Sequence, residues 1–446
     1  MTAKADLSVA NKVAAFVEGS LLRNYPDDVI DAAKKCLADW FGVALGACEE
    51  PAAKVVRASV KANGAGDALL VSGGSAAPLF AALINGTTAH CLDFDDTHVD
   101  SLAHLSSPTW AATLAAAGGK AVTGRGLLAA FIAGFESGAA LGGQGRGEKI
   151  TTRGLHSTAV FGRLAAAAAA SVMLGLDKTQ VMNAMGVAAT QAGGLTASFG
   201  TMSKPFHAGK AAMDGVMSAQ LAASGFVAAH DLLDRPAAFA GVLVQSSDMK
   251  ISADELGRVW QITQNTFKPY ASCLMTHAAI DAAREVAKQL SADELEYATA
   301  EVHPLGLEVA GKTAVNTDLE GKFSLLYCIA LALAGYPASP ADFSGERRSN
   351  ATIRNVMKHV EVKPNDRLEK TAASIVARSK HGREVRVDVP LALGNPGNPM
   401  TWDALQAKFM ALAEPRLNGR ASKLFDTIRA FESVKDVRSV GALLQI

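Results

Sequence analysis

Charge is scarce in this 446-residue chain: 19% of its residues are Asp, Glu, Lys or Arg, against 49% that are hydrophobic. That balance excludes a disordered chain and supplies core enough for two domains. Neither sign is in excess, with 43 basic and 43 acidic residues, so no bulk positive field draws nucleic acid or an anionic membrane. The expected partner is a small molecule. Cysteine is sparse as well. Cys36, Cys48, Cys91, Cys273 and Cys328 are scattered, with no CxxC or Cys/His spacing to suggest zinc or a disulfide framework. The opening MTAKADLSVANK has no basic segment followed by an apolar one, so the reading expects no secretory signal and a cytoplasmic location. No uninterrupted apolar run reaches the roughly 20 residues that span a bilayer. The most apolar stretch, between Arg163 and Asp177, reads as a buried helix.

Several cofactor and nucleophile signatures are also missing. There is no Walker A lysine motif, no GxSxG nucleophile elbow, and GGQGRG at 142–147 follows a helical pattern rather than a strand. Nucleotide, nicotinamide and serine-nucleophile mechanisms fall in rank.

What is there is helical for the first half. In PDDVIDAAKKCLADWFGVAL, Pro26 presets the first turn, Asp27 and Asp28 suit a helix N-terminus, and Val29, Ala33, Cys36, Trp40 and Ala44 form one stripe. Similar spacing predicts helices over 76–96, 108–121, 126–141, 157–175, 178–191 and 206–224. Their alanine and glycine would let them pack closely. Beyond about residue 263, EYATAEVHPLGLEV, HVEVKP, ASIVARS and REVRVDVP read as strands, the last two joined at Lys380-His381-Gly382. GNPGNP at 394–399 then breaks the pattern, and TWDALQAKFMALAEP reads as a helix capped by Thr401. The expected fold is mainly α: a large all-α helical domain, 1–263 with 396–446, and a smaller inserted α+β domain at 264–395.

The chemistry concentrates in a few places. CLDFDDTH, residues 91–98, holds three carboxylates and an imidazole. If it ends the helix begun near Ala76, Asp93, Asp96 and Thr97 share a face and Asp95 points elsewhere. A solvated helix end and a magnesium site, as in all-helical prenyl-transfer enzymes, are the competing readings. A second acidic cluster is missing, since TAVNTDLEG at 313–321 is a poor partner. His104 lies just ahead of a helix that Ser107 caps and Pro108 opens; His156 precedes a cap at Ser157 or Thr158; Lys204 and His207 flank Pro205 at a third helix start. Lys268 and Tyr270 stand at the start of the inserted domain, with His277 seven residues after Tyr270 on the same face if that part is helical. Lysines and helix N-termini can neutralise carboxylates while an aspartate and histidines move a proton. The acidic segment is then one wall of an anionic-substrate pocket.

At AHCLDFDDTH, His104 with its serines, LHSTAVFGRLAAAAAA, SKPFHAGKAAMDG, FKPYASCLMTH and EGKFSLLYCIALAL, over about residues 84–334, the chain resembles the MmgE/PrpD family. That family includes 2-methylcitrate dehydratases, cis-aconitate decarboxylases and iminodisuccinate epimerase. The resemblance implies a helical domain with an α+β lid, a homodimer, and acid–base chemistry on a small polycarboxylate with neither an organic cofactor nor a metal. It places Asp93, Thr97, His104, His156, Lys204, Lys268 and His277 at the active site. His104 is the expected proton-transfer group, Asp93 its orienting partner, His156 a second proton-transfer candidate, and Lys204 and Lys268 carboxylate binders; His207 and Tyr270 complete the expected binding set. Leu105 stands where many relatives have proline, and GFVAAHDLL at 225–233 replaces a glycine–proline turn, which is expected to alter the pocket's outer shape. Dehydration is placed first, epimerisation close behind, decarboxylation as a further alternative. A non-catalytic helical scaffold is the reading outside enzymology.

Overall fold

The computed structural model describes residues 8–60, 65–235, 238–245 and 253–444. The chain is mainly α-helical, and its apolar residues gather into two cores. The first is built by α1 (Val9–Glu18), α2 (Asp27–Gly46), α3 (Pro78–His90), α4 (Ser106–Ala117), α5 (Gly124–Gly142), α6 (Ser157–Leu174), α7 (Lys178–Ala189) and α8 (Ser203–Ala223). The stripe expected on α2 is buried as read, with Asp27 and Asp28 in its first turn and Pro26 one position earlier, at the N-cap.

Helix α8 lies against both α3 and α6. Small residues permit this: a Cβ on Gly86 would sit 2.8 Å from the Gly209 Cα, and one on Gly209 would sit 2.1 Å from the Thr87 hydroxyl. Those distances are below van der Waals contact, so alanine at either position would push α3 and α8 apart. The buried Arg163–Asp214 pair, Nε to Oδ2 at 2.9 Å, fixes the register of α6 on α8. Helix α6 is apolar and long enough to cross a membrane by composition alone, but here it is buried within the first core.

The second core is assembled mostly from residues 270–392, joined by Val43, Ala47, Ala52, Ala53, Cys91, Leu92 and Phe94. Its sheet has four strands, β1 (Leu295–Val302), β2 (Val360–Pro364), β3 (Ala373–Ser379) and β4 (Glu384–Val389), in the order β2-β1-β3-β4. Strand β1 runs parallel to β2 and antiparallel to β3, which pairs antiparallel with β4 through the expected turn, where Gly382 takes φ 82°. Helices α9 (His277–Ala287) and α10 (Leu325–Leu333) pack against these strands. One expectation is corrected: EYATAEVHPLGLEV is a strand only to Val302, because Pro304 opens a short helix, Pro304–Ala310. Proline at a first helical position has no backbone N–H to lose.

The chain then returns to the first core. Gly394 approaches the Phe267 carbonyl so closely that a Cβ would fall 1.8 Å from it, and its own carbonyl accepts the Phe267 N–H at 3.0 Å. Helix α11 (Trp402–Leu417), capped by the Thr401 hydroxyl as expected, packs along α2 with Phe409 against Gly42 and Leu412 against Gly46.

Candidate active site

Helix α3 stops at His90, short of the acidic segment, and Asp93 takes the left-handed φ of 50°. Asp93, Asp96 and Thr97 therefore do not share a helical face, contrary to the spacing argument. Instead Thr97–His98 pairs antiparallel with Asn265–Thr266, so the acidic loop is stitched to the segment that leads into the second core. The Cα geometry of a non-glycine residue at positive φ is disfavoured and persists only where surroundings hold it.

Two ammonium groups converge on one oxygen of Asp93. Lys204 Nζ lies 2.6 Å and Lys268 Nζ 3.0 Å from Oδ1, and Lys268 also donates to the Asp93 carbonyl at 2.9 Å. Burial by itself would raise the Asp93 pKa, but Lys204, then Lys268, outweigh it and hold the group well below the usual carboxylate range. Lys204 is placed by the first turn of α8, with its ammonium 4.9 Å from the centre of the Phe323 ring.

Asp95 does not point elsewhere. His90 Nδ1 is 2.9 Å and His104 Nδ1 3.2 Å from its Oδ2, so one carboxylate accepts from two imidazoles. Two Nδ1–H donors leave Nε2 as the basic atom of each ring. His104 Nε2 stands 3.7 Å from Asp93 Oδ1, at the cavity wall. The His104 backbone donates to the Thr158 hydroxyl at 3.0 Å, which ties this loop to the start of α6. Burial lowers the His104 pKa; Asp95 opposes that, while Lys268 and Lys204 add to it. His90 is pushed down to about 3 by burial, with Asp95 opposing.

The cavity these groups share is lined by Asp93, Thr97, His104, His156, Lys204 and Lys268, and closed by the apolar Leu102, Phe199, Leu274, Met275 and Phe323. His156 occupies the N-cap position of α6 itself, rather than preceding a cap. Its Nδ1 lies 3.1 Å from His207 Nδ1, so His207 braces His156 from behind and does not line the cavity. Burial drives His156 well below its ordinary value, with Lys204 adding, and drives His207 to about 4.

Further expectations are corrected. The Tyr270 hydroxyl donates to Asp281 at 2.5 Å, and His277 Nε2 meets the Ser272 carbonyl at 3.2 Å; neither lines the cavity. They do not share a helix face, because α9 begins only at His277, although their rings touch edge to face at 5.3 Å. Helix α4 starts at Ser106, not at Pro108, and the Ser107 hydroxyl reaches the Gly86 carbonyl instead of capping. The sequence departures lie away from the cavity. Leu105 is buried against α5 near Gly138, and Ala228 and His230 are held by Asn183.

Asp95, His90 and Cys273 were missed by sequence reasoning, as was the apolar wall. Asp96 serves a separate buried network: its Oδ2 accepts from Ser106 at 2.5 Å and Asn265 at 2.7 Å, and burial with the neighbouring Asp39 raises its pKa to about 8. His90, Asp93, Asp95 and His104 place ligand atoms within 4.8 Å of one another, a set that could hold a cation. Lys204 and Lys268 already compensate Asp93 there, so a cation would have to enter against two ammonium charges.

The chain is 26% identical over 463 residues to the cis-aconitate decarboxylase of Homo sapiens, covering 98% of this chain and 95% of that protein. It is likewise 26% identical to the Mus musculus cis-aconitate decarboxylase, over 98% of this chain and 93% of the other. The Aspergillus terreus cis-aconitate decarboxylase is 29% identical over 61% of this chain and 59% of its own length. The MmgE/PrpD N-terminal domain matches residues 11–252 and the MmgE/PrpD C-terminal domain residues 270–431. Matched over both domains, the chain belongs to the MmgE/PrpD family.

Proposed function

We propose that this lyase-type enzyme removes a carboxylate from cis-aconitate, or from a close tricarboxylate analogue, by acid–base chemistry. The observation that carries the reading is the pair of ammonium groups on one Asp93 oxygen, beside His104 in a single buried cavity. On the cavity wall itself two ammonium groups meet one carboxylate, with Asp95 set behind His104, and the N-termini of α6 and α8 add their dipoles. The relatives move decarboxylation ahead of the dehydration that the sequence alone ranked first.

The electron flow is simple. When the C–CO2 bond of the substrate's carboxymethyl group breaks, its electron pair forms a terminal double bond. The electrons of the original double bond then take a proton at the carbon beside the far carboxylate, giving itaconate and carbon dioxide. His104 supplies that proton from Nε2. Asp95 holds its Nδ1–H and stabilises the imidazolium. Substrate carboxylates neutralise Lys204 and Lys268, which otherwise oppose protonation of His104. Binding thus arms the acid. Lys268, Leu274, Met275 and Phe323 all come from residues 264–395, so that part of the chain acts as the lid over the cavity. The same reading carries a cytoplasmic homodimer, consistent with five buried free cysteines and checked by light scattering.

Proton NMR of the chelator-treated protein with cis-aconitate in deuterium oxide tests this. Conversion to itaconate carrying one deuterium is expected. Conversion of 2-methylcitrate to an alkene, or deuterium exchange into iminodisuccinate with cis-aconitate untouched, would replace decarboxylation by dehydration or epimerisation. Recovery of turnover only on adding a metal would overturn the cofactor-free chemistry. Lys204→Ala is expected to raise KM by ~10–100-fold, the equivalent of about 1.5–3 kcal/mol for a charge-assisted hydrogen bond, with kcat reduced less. An unchanged KM in steady-state assays would remove Lys204 from substrate binding.

A further inference from the structure

Three successive carbonyls of the acidic loop are each held by a different buried lysine. Lys322 Nζ donates to Leu92 O at 2.7 Å, Lys268 to Asp93 O at 2.9 Å, and Lys408 to Phe94 O at 2.6 Å. The three side chains come from distant parts of the chain: the short helix Asp318–Lys322 ahead of α10, the segment joining the two cores, and α11. Only Lys268 lines the cavity.

We propose that Lys322 and Lys408 are positioning residues, which hold the left-handed Asp93 turn so that its carboxylate faces Lys204, Lys268 and His104. Three features support this. The captured carbonyls flank the one residue of the loop at positive φ, where the conformation must be held from outside. Lys408 also donates to the Lys268 carbonyl at 2.9 Å, so one ammonium fixes the backbone of both the acidic loop and its main cation, and Asp39 Oδ1 at 2.6 Å balances its charge. Lys322 is different. Among the described residues it has no carboxylate within ion-pair distance; Leu92 O is its hydrogen-bond partner, and the Phe343 ring centre lies 6.0 Å away. Its backbone carbonyl accepts the Cys273 N–H at 2.9 Å, so the same residue also sets the cavity wall at Cys273.

A buried ammonium committed to a single carbonyl is costly to desolvate. Docking of the second core is what delivers it, together with Lys268. Lys322 thus acts on Asp93 through the backbone, without itself lining the cavity.

This inference rests on the proposed site, and its test separates the two. Lys322→Met keeps the length and apolar stem of the side chain, removes the ammonium and strands no carboxylate. The expected result is a folded protein whose kcat falls roughly 10- to 100-fold, the penalty typical of an ångström-scale misplacement, with KM changed less than about threefold. The ring NMR resonances of His104 at neutral pH, which report its place beside Asp93 and Asp95, should be displaced in the same variant. Lys322→Arg should recover part of kcat. A wild-type kcat and unmoved His104 ring resonances, whatever happens to thermal stability, would overturn the positioning role. Should Lys322→Met not accumulate as folded protein, Lys408→Met combined with Asp39→Asn, which removes the clamp and its counter-charge together, is read by the same two measurements and against the same outcomes. If wild type leaves cis-aconitate unchanged, the substrate assignment fails; the His104 ring resonances at neutral pH, which need no substrate, then decide the clamp alone.

Discussion

His104→Ala is expected to lower kcat by about 10²- to 10⁴-fold, the range for a positioned proton-transfer group, while substrate binding through Lys204 and Lys268 is largely kept. The imidazole is the group in the cavity with both an orienting carboxylate and a basic nitrogen beside Asp93. Removing it leaves Asp95 paired with His90 at 2.9 Å, so the carboxylate is not stranded and the fold should survive. Steady-state kinetics with circular dichroism checks both parts. A kcat within threefold of wild type would exclude His104 from proton transfer and direct attention to His156, the other imidazole on the cavity.

Acid should destabilise this protein steeply, beginning well above the range where carboxylates titrate. His90, His98, His104, His156 and His277 are buried, and burial depresses all five, His90 and His277 to about 3 and His98 to about 4. In the unfolded chain each takes a proton near pH 6.5. Between pH 6.5 and about 4 the unfolded state thus binds more protons, and stability is lost as pH falls. Asp39, Asp96 and Glu136 work in the opposite sense, because burial raises them, Asp96 to about 8 and Glu136 to about 7, so the folded state binds their protons first. His90, His98, His207 and His277 against Asp96 and Glu136 leave about two protons net, or roughly 3 kcal/mol per pH unit. Against a total stability of about 5–15 kcal/mol that is decisive within two or three units. Thermal midpoints by circular dichroism should fall continuously from pH 7 to pH 4.5. A flat profile across that range would mean that these histidines are protonated in the folded state, and the Nδ1–H···Asp95 arrangement with a free Nε2 would have to be abandoned.

The order of helices was legible in the sequence, since α2, α6, α7 and α8 follow from apolar spacing and punctuation that act within one turn. β-Branched runs likewise revealed β3 and β4, with Val385, Val387 and Val389 of β4 in alternation, and the two faces of these strands differ in burial. Where two local signals competed, the wrong one was followed: β-branched residues carried the strand reading past Val302 into a segment that Pro304 turns helical. The site was legible as a set of residue types. Asp93, Thr97, His104, His156, Lys204 and Lys268 do meet at one cavity, whereas His207, Tyr270 and His277 sit behind it.

What sequence could not supply was direction. Spacing along a presumed helix turned Asp95 away from the site, yet the helix had already ended at His90, and Asp95 is the carboxylate that orients both imidazoles. Local contacts mark the end, the Asp93 N–H donating to the His90 carbonyl at 3.3 Å and the His90 ring to Asp95, but distant ones hold the loop beyond it. The carbonyls after His90 are taken by Lys268, Lys322 and Lys408, at separations of 175, 230 and 314 residues. By itself the sequence determined the helical composition and the chemical groups available, because those depend on side-chain type and short-range periodicity. The tertiary structure decided which of those groups face the cavity and in what state of charge, because buried ion pairs exist only once distant segments exclude water together.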